Sequence, residues 1–253
     1  MAVTTTGPTK GTLLIHGGGE PSAEFKALFK KLAGSPNANI LWIPTAESDD
    51  KLSTLSAPVP HGQLWGTTAT ILHTRSSAVA DSDGFVQPLQ EATGVYIGGG
   101  RQPRLAKAYL GTKTHRELQR LLDRRGVIAG DSAGATIQGS FMVRNQGAPK
   151  YDRDVMVDPR YTTEGFAFIK NVAIDQHITQ YGRENHLAEV LKKHPGLLGI
   201  GIDQDTAIVV RGDVFGVIGS GSVFVWNDAS GPLRPLLTKG DRYDMRARKR
   251  LNH

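Results

Sequence analysis

The sequence predicts an α/β protein with a mostly parallel central sheet, helices on both of its faces, and a C-terminal β-meander. Three observations carry that expectation. Short apolar runs alternate with segments of helical periodicity through the first two thirds of the chain. Three of these runs end in glycine clusters, at His16-Gly17-Gly18-Gly19, at Gly98-Gly99-Gly100 and at Gly130-Asp131-Ser132-Ala133-Gly134. Beyond residue 206 the apolar runs are separated only by short turns. Open parallel sheets bind ligands at the carboxyl ends of their strands, so the glycine clusters mark where a site is expected.

The elements follow in order. Gly11 to Ile15 is a buried strand, and Glu24 to Leu32 a helix with Phe25, Leu28, Phe29 and Leu32 on one face. Asn39 to Ile43 is a second strand, stopped by Pro44, and the polar stretch Thr45 to Pro60 reads as a loop. A strand over Trp65 to Leu72, a short helix over Gly84 to Ala92 and a strand over Val95 to Ile97 come next. Pro103 to Tyr109 and Thr114 to Arg124 read as helices. Val127 to Ala129 is the strand before Ser132, and the helix after it is expected to run on through Gln138 to Arg144. Asn145 to Glu164 is long and polar, a candidate active-site loop. Phe168 to Asp175 is a strand, and Glu184 to His194 a helix ended by Pro195 and Gly196. Leu198 to Ile202 leads into three apolar runs, Ala207 to Val210, Val214 to Ile218 and Ser222 to Trp226, the expected meander.

The 253 residues read as a single domain over 1–253, with 1–10 and 240–253 expected as mobile ends. Hydrophobic content of 39% and charged content of 21% suit a globular protein. With no cysteine, disulfides, thiolate metal sites and a cysteine nucleophile are excluded. The net charge of +6 draws on Arg242, Arg246, Arg248, Lys249 and Arg250 near the C-terminus. No basic stripe interleaved with aromatics accompanies them, so no nucleic-acid partner is expected. No apolar run approaches the ~18 residues of a membrane span, so no membrane partner is expected. The polar N-terminus lacks a signal core, which points to the cytoplasm, or to export with a leader already removed. No phosphate loop and no metal-ligand spacing occur, so no cofactor and no metal are expected.

Strand, tight turn and helix, with Ser132 at the apex between small residues, is a nucleophile-elbow pattern. A serine hydroxyl needs a base, and the base an orienting acceptor. His61, His73, His115, His186, His194 and His253 read as ordinary surface. His16 and His177 follow strands, and His177 is preferred because Asp175, Gln176, Gln180 and Arg183 surround it with polar groups. The acceptor is sought among Asp203, Gln204 and Asp205, again at a strand end. The pairing of His16-Gly17-Gly18-Gly19 with the elbow suggests α/β-hydrolase esterases, but the order is wrong. That fold needs strands before the glycine loop and a histidine late in the chain.

Taken together, these segments resemble the cyanophycinase and aspartyl dipeptidase family of serine peptidases. The likeness runs from Gly11 to Trp226 and rests on five stretches: Gly17-Gly18-Gly19-Glu20, Ile43-Pro44-Thr45-Ala46, Gly99-Gly100-Arg101-Gln102, Gly130 to Ala135, and Asp175-Gln176-His177 with Gly201-Ile202-Asp203-Gln204. It implies a fold like class I glutamine amidotransferases, of flavodoxin-like type. It implies Ser132 as nucleophile, His177 as general base, and an oxyanion site from the N–H groups of Ala133 and of Gly99 or Gly100. Gln102, Asp175, Gln176 and Arg183 match substrate-pocket positions. The implied reaction is hydrolysis of β-aspartyl (isoaspartyl) peptide bonds through an acyl-enzyme, releasing β-Asp-Arg dipeptides or cleaving related peptides, and the implied assembly is a homodimer. Three residues depart from the family pattern. Gln204 stands at the usual triad Glu, so that Asp203 or Asp205 would have to supply the charge. Tyr181 and His186 stand where arginines are usual. Arg101 replaces a common acid and is a candidate partner for a substrate carboxylate. Two other readings stay open: an α-aspartyl dipeptidase, and an amidotransferase-like domain that binds without catalysis.

Overall fold

The computed structural model describes residues 6–54, 61–144, 159 and 161–252. The chain runs β1 (Thr12–His16), α1 (Ala23–Leu32), β2 (Ile40–Ile43), α2 (Asp49–Thr54), β3 (His61–Leu64), β4 (Thr67–Ile71), α3 (Ser77–Ala80), α4 (Asp83–Glu91), β5 (Gly94–Ile97), α5 (Gln102–Tyr109), α6 (Lys113–Asp123), β6 (Val127–Asp131) and α7 (Ala133–Thr136). It continues with β7 (Gly139–Met142), β8 (Ile169–Gln176), α8 (His186–Lys193), β9 (Leu198–Ile202), β10 (Thr206–Arg211), β11 (Val214–Gly219), β12 (Val223–Trp226), β13 (Arg242–Asp244) and β14 (Lys249–Leu251).

Ten strands form one sheet in the order β14-β13-β11-β10-β1-β6-β5-β2-β4-β3. Its five central strands, β1, β6, β5, β2 and β4, are parallel, as the alternation of strands and helices predicts. Side chains alternate across β1 and so feed two layers. Leu14 packs with Phe25 and Phe29 of α1, while Leu13 and Ile15 pack with Leu105 of α5 and Leu118, Leu121 and Leu122 of α6. Ser22 caps α1 by accepting the Phe25 N–H at 3.1 Å. Truncating the fully buried Phe29 to alanine is expected to cost ~3–5 kcal/mol.

A second sheet, β12-β9-β8-β7, was not foreseen. One of its faces joins the same core through Ile174, Ile200 and Val223. The other is covered by α8, whose Leu187, Val190 and Leu191 meet Phe224 and Trp226. The link between the sheets positions the site. The His177 N–H donates to Gly17 O at 3.0 Å, Gly17 N–H to Thr206 O at 2.9 Å, and Asp205 N–H to Gly18 O at 2.9 Å. The segment after β8 is thereby tied to the glycine loop after β1.

Four expectations are corrected. The helix after Ser132 lasts only from Ala133 to Thr136, and Gly139–Met142 is strand β7. Its neighbours explain the break: the N–H groups of Phe166, Ala167 and Ile169 donate to the carbonyls of Ile137, Gly139 and Gln138. The meander holds for β10 and β11, but Val223–Trp226 pairs with β9 in the other sheet. The C-terminal end, expected to be mobile, forms the β13–β14 hairpin on β11. There Arg248 and Arg250 donate to the carbonyls of Asn227, Gly196, Pro235 and Leu236. At the other end Thr6 and Gly7 are likewise held, on Asp213 Oδ1 and Gly212 O. Helix α2 lies within the stretch read as a loop. Most of the polar stretch 145–164 lies outside the described residues. No helix among the described residues is long and apolar enough to cross a membrane.

Candidate active site

Ser132 sits between β6 and α7 with φ 50° and ψ −106°. This is sparsely populated backbone for a residue with a Cβ, costing on the order of 1–3 kcal/mol. The turn is held from below, where Ser132 N–H donates to His16 O at 3.1 Å. It also needs close backbone approach: a Cβ on Gly134 would lie 2.1 Å from Ile97 O. The strain turns the Ser132 hydroxyl toward the end of β8.

There Ser132 Oγ lies 2.9 Å from His177 Nε2. The imidazole has room because Gly18 has no side chain. A Cβ at that position would stand 2.0 Å from His177 Cε1, and Gly18 itself has φ +105°. Burial, then the charges of Arg183, Arg144 and His16, lower the His177 pKa from 6.5 to about 4. The ring is therefore neutral at physiological pH, the state a base needs. On its other side, Nδ1 lies 2.7 Å from the Gln204 amide nitrogen. An amide can present either end, and the two ends set opposite tautomers. The nitrogen donates to Nδ1 and leaves the ring proton on Nε2. The oxygen, after a half-turn of the amide, accepts from Nδ1–H and frees Nε2 to take the serine proton.

Neither nearby acid supplies a charge behind His177. Asp203 Oδ1 accepts from Thr179 N–H and Oγ1, at 3.0 and 2.9 Å, and its Oδ2 accepts from Ser222 N–H at 3.1 Å. Asp205 is exposed and faces Gly19, whose Cβ would lie 2.6 Å from Asp205 Oδ1. The expectation that one of them compensates for Gln204 fails: Thr179 and Ser222 take up the Asp203 carboxylate, and among the described residues no hydrogen bond joins Asp205 to the ring.

The remaining predicted residues surround this centre. Gln102 is buried and donates from Nε2 to Val143 O and Arg144 O, at 2.8 and 2.7 Å. Arg101 caps α5 at the partly exposed rim, its N–H on Ala46 O. Asp175 is fully buried, with Oδ1 2.5 Å from Arg144 Nη2. Arg183 donates to Gln176 O at 2.8 Å and stands 4.7 Å from the Tyr181 ring centroid. The Tyr181 ring in turn lies 5.1 Å from His177. Among the described residues no backbone acceptor holds the N–H groups of Gly99, Gly100 or Ala133, which leaves all three able to bind a developing oxyanion.

Three features escape sequence reasoning. Arg144, read as part of a helix, is a buried cation against Asp175. His186, read as helix surface, is partly buried with Nδ1 3.9 Å from Asp175 Oδ2. His16, set aside in favour of His177, pairs with Asp131 at 2.9 Å across the β1–β6 register. Alignment of strands far apart in sequence was the missing information. No group of three or more acidic or histidine side chains that could hold a metal occurs among the described residues.

A strained serine beside a neutral imidazole, at the end of a parallel α/β sheet, defines the class as a serine hydrolase. Residues 13–218 match the model of peptidase family S51, and the chain belongs to that family of serine peptidases. It is 28% identical over 230 residues to a cyanophycinase of Nostoc sp., covering 89% of this chain and 76% of that protein. It is 26% identical to a cyanophycinase of Geminocystis herdmanii, covering 85% and 80%. Among solved structures, a peptidase from an acI-B1 actinobacterium superposes with a TM-score of 0.71 over 94% of this chain and 98% of that one, at 24% identity. A putative peptidase E protein from Listeria monocytogenes shares the fold with a TM-score of 0.55, covering 84% and 100%, at 16% identity.

Proposed function

We propose that this peptidase hydrolyses peptides containing β-aspartyl linkages, as its relatives named cyanophycinase suggest. The observation that carries the mechanism is the chain from Ser132 Oγ through His177 to Gln204, with contacts of 2.9 and 2.7 Å. Ser132 Oγ attacks the scissile carbonyl while its proton passes to His177 Nε2. The N–H groups of Gly99, Gly100 and Ala133 bind the oxyanion. Collapse breaks the C–N bond, and His177 returns the proton to the departing amine. His177 then takes a proton from water, which attacks the acyl-serine; the C–Oγ bond breaks, His177 returns that proton to Ser132 Oγ, and the acid is released. With the amide turned so that its oxygen accepts from Nδ1–H, Gln204 fixes the ring and offers no charge to the imidazolium. Asp175 offsets the charge of Arg144, and Arg183 leaves a cation near His177, which suits substrates carrying a free carboxylate beside the scissile bond. Gln102, Asp175, Gln176 and Arg101 complete the proposed pocket, and a homodimer, tested by sedimentation, is the proposed assembly.

Incubation with cyanophycin and with β-Asp-Arg, followed by mass spectrometry of the products, tests the reading. Release of β-Asp-Arg from the polymer, or of aspartate and arginine from the dipeptide, is expected, and Ser132→Ala abolishes it. Cleavage undiminished in Ser132→Ala, or cleavage of α-aspartyl dipeptides alone, overturns it.

A further inference from the structure

The pair His16–Asp131 takes no part in the mechanism above, yet it adjoins the reacting centre. Asp131 immediately precedes the nucleophile. Its Oδ1 lies 2.9 Å from Nδ1 of His16, which is only 1% exposed. Its Oδ2 reaches over the oxyanion loop: a Cβ on Gly99 would lie 3.1 Å from this oxygen and 3.4 Å from Ser132 Cβ. The Asp131 side chain is 16% exposed. No hydrogen bond to Oδ2 occurs among the described residues, whereas His16 commits Oδ1. Burial first, and then the charges of Asp131, Glu20 and Glu47, raise the Tyr96 pKa. Glu20 and Glu47 already have partners in Lys26 and Lys51. Among the described residues, Asp131 has only the imidazole.

A carboxylate at this point opposes the oxyanion that the neighbouring N–H groups must stabilise, unless a cation joins it. The buried guanidinium groups of Arg144 and Arg183 act on His177. Asp175 offsets Arg144, so Arg183 carries the positive charge beside His177, while Asp131 puts a carboxylate at the Gly99 edge.

Resting on the serine-peptidase reading, we infer that Asp131 is a specificity-determining residue whose Oδ2 binds the free α-ammonium group of the substrate's acyl residue, and that His16 is its positioning residue. The ligand class is an amino-terminal residue with a free ammonium group. Docking the ammonium group offsets the carboxylate's repulsion of the oxyanion, so recognition and catalysis are coupled. The enzyme then acts from a free amino end.

The test compares the rates at which two reagents label Ser132 at neutral pH: a 1-aminoalkyl diphenyl phosphonate and its N-acetyl twin. The wild-type protein is expected to favour the amino reagent by about tenfold or more, the scale of one hydrogen bond to a charged group. In Asp131→Asn the ratio falls to about one, and in Glu20→Gln it stays at the wild-type value. If Asp131→Asn loses its cooperative melt, His16→Gln replaces it, with an intermediate ratio expected. Equal wild-type rates, or a ratio unchanged in the variant that folds, overturn the inference. A small fluorophosphonate separates the two levels. If it labels Ser132, the peptidase reading stands whatever the ratio; if Ser132 stays unlabelled, both readings fall.

Discussion

Two histidines flank Ser132 and are equipped in opposite ways. His177 reaches the hydroxyl at 2.9 Å but has only the amide of Gln204 behind it. His16 has a carboxylate behind it, also at 2.9 Å, but its buried Nε2 meets no hydrogen-bonding partner among the described residues. If charge support chose the base, His16 would be the base. Reach chooses instead, and His177 has it because Gly18 leaves room for the ring and the turn after β8 delivers it. The difference separates two jobs that one acid often combines, orienting an imidazole and supplying negative charge.

The sharpest way to break this comparison is to remove one ring at a time. His177→Gln is expected to lower kcat/KM by about 10⁴-fold or more, as Ser132→Ala does, because groups acting as a unit fail together. His16→Gln is expected to cost about tenfold, the scale of one charged hydrogen bond. Comparable losses in the two histidine variants would erase the distinction. Gly18→Ala attacks the same point through space. Its Cβ would meet His177 Cε1 at 2.0 Å, and displacing the base by about 1 Å is expected to cost about 10²-fold in kcat. A melting temperature followed beside the kinetics separates this from loss of fold, since a positive φ makes some destabilisation certain.

Gln204→Glu gives His177 the charge it lacks. A carboxylate favours the imidazolium, so the His177 pKa rises from about 4 and the acid limb of kcat/KM moves to higher pH. At neutral pH kcat is expected to rise by about tenfold, the low end of what a positioned acid–base partner contributes. A fall in kcat, with the acid limb unmoved, would show that the amide is not oriented toward Nδ1 in the working state.

The smallest expected effect is on stability. His177 resists protonation in the fold down to about pH 4, whereas the unfolded chain binds that proton near 6.5. Stability is therefore lost as pH falls between these values. Thermal melts across this window should drop more for the wild type than for His177→Gln.

Much of this was readable from local pattern. The parallel strands of the first sheet are apolar runs ending in glycine or proline, and the elbow is visible as small residues around Ser132. What was not readable depended on partners distant in sequence. Gln138 to Arg144 is apolar enough to extend a helix, and only residues 165–169, arriving alongside, make it a strand. Val223–Trp226 looks like the third turn of a meander, but Trp226 is buried under α8 on another sheet. The basic C-terminus reads as solvated until Arg248 and Arg250 are seen bonding carbonyls. In the site, Ser132 and His177 were named from the elbow and a strand end, the acceptor was narrowed to Asp203, Gln204 and Asp205, and the family resemblance pointed to Gln204. The placement of Asp203, the burial of Arg144 and the His16–Asp131 pair required the register itself.

The most direct test of the account is the pH dependence of Ser132 modification by a fluorophosphonate, in the wild type and in His177→Gln. The account predicts labelling at Ser132 that falls away through one ionisation near pH 4, the His177 value, and a labelling rate about 10²-fold or more lower in the variant, the scale of general-base assistance. Labelling at another residue, a midpoint near the ordinary histidine value of 6.5, or an equal rate in His177→Gln would contradict it.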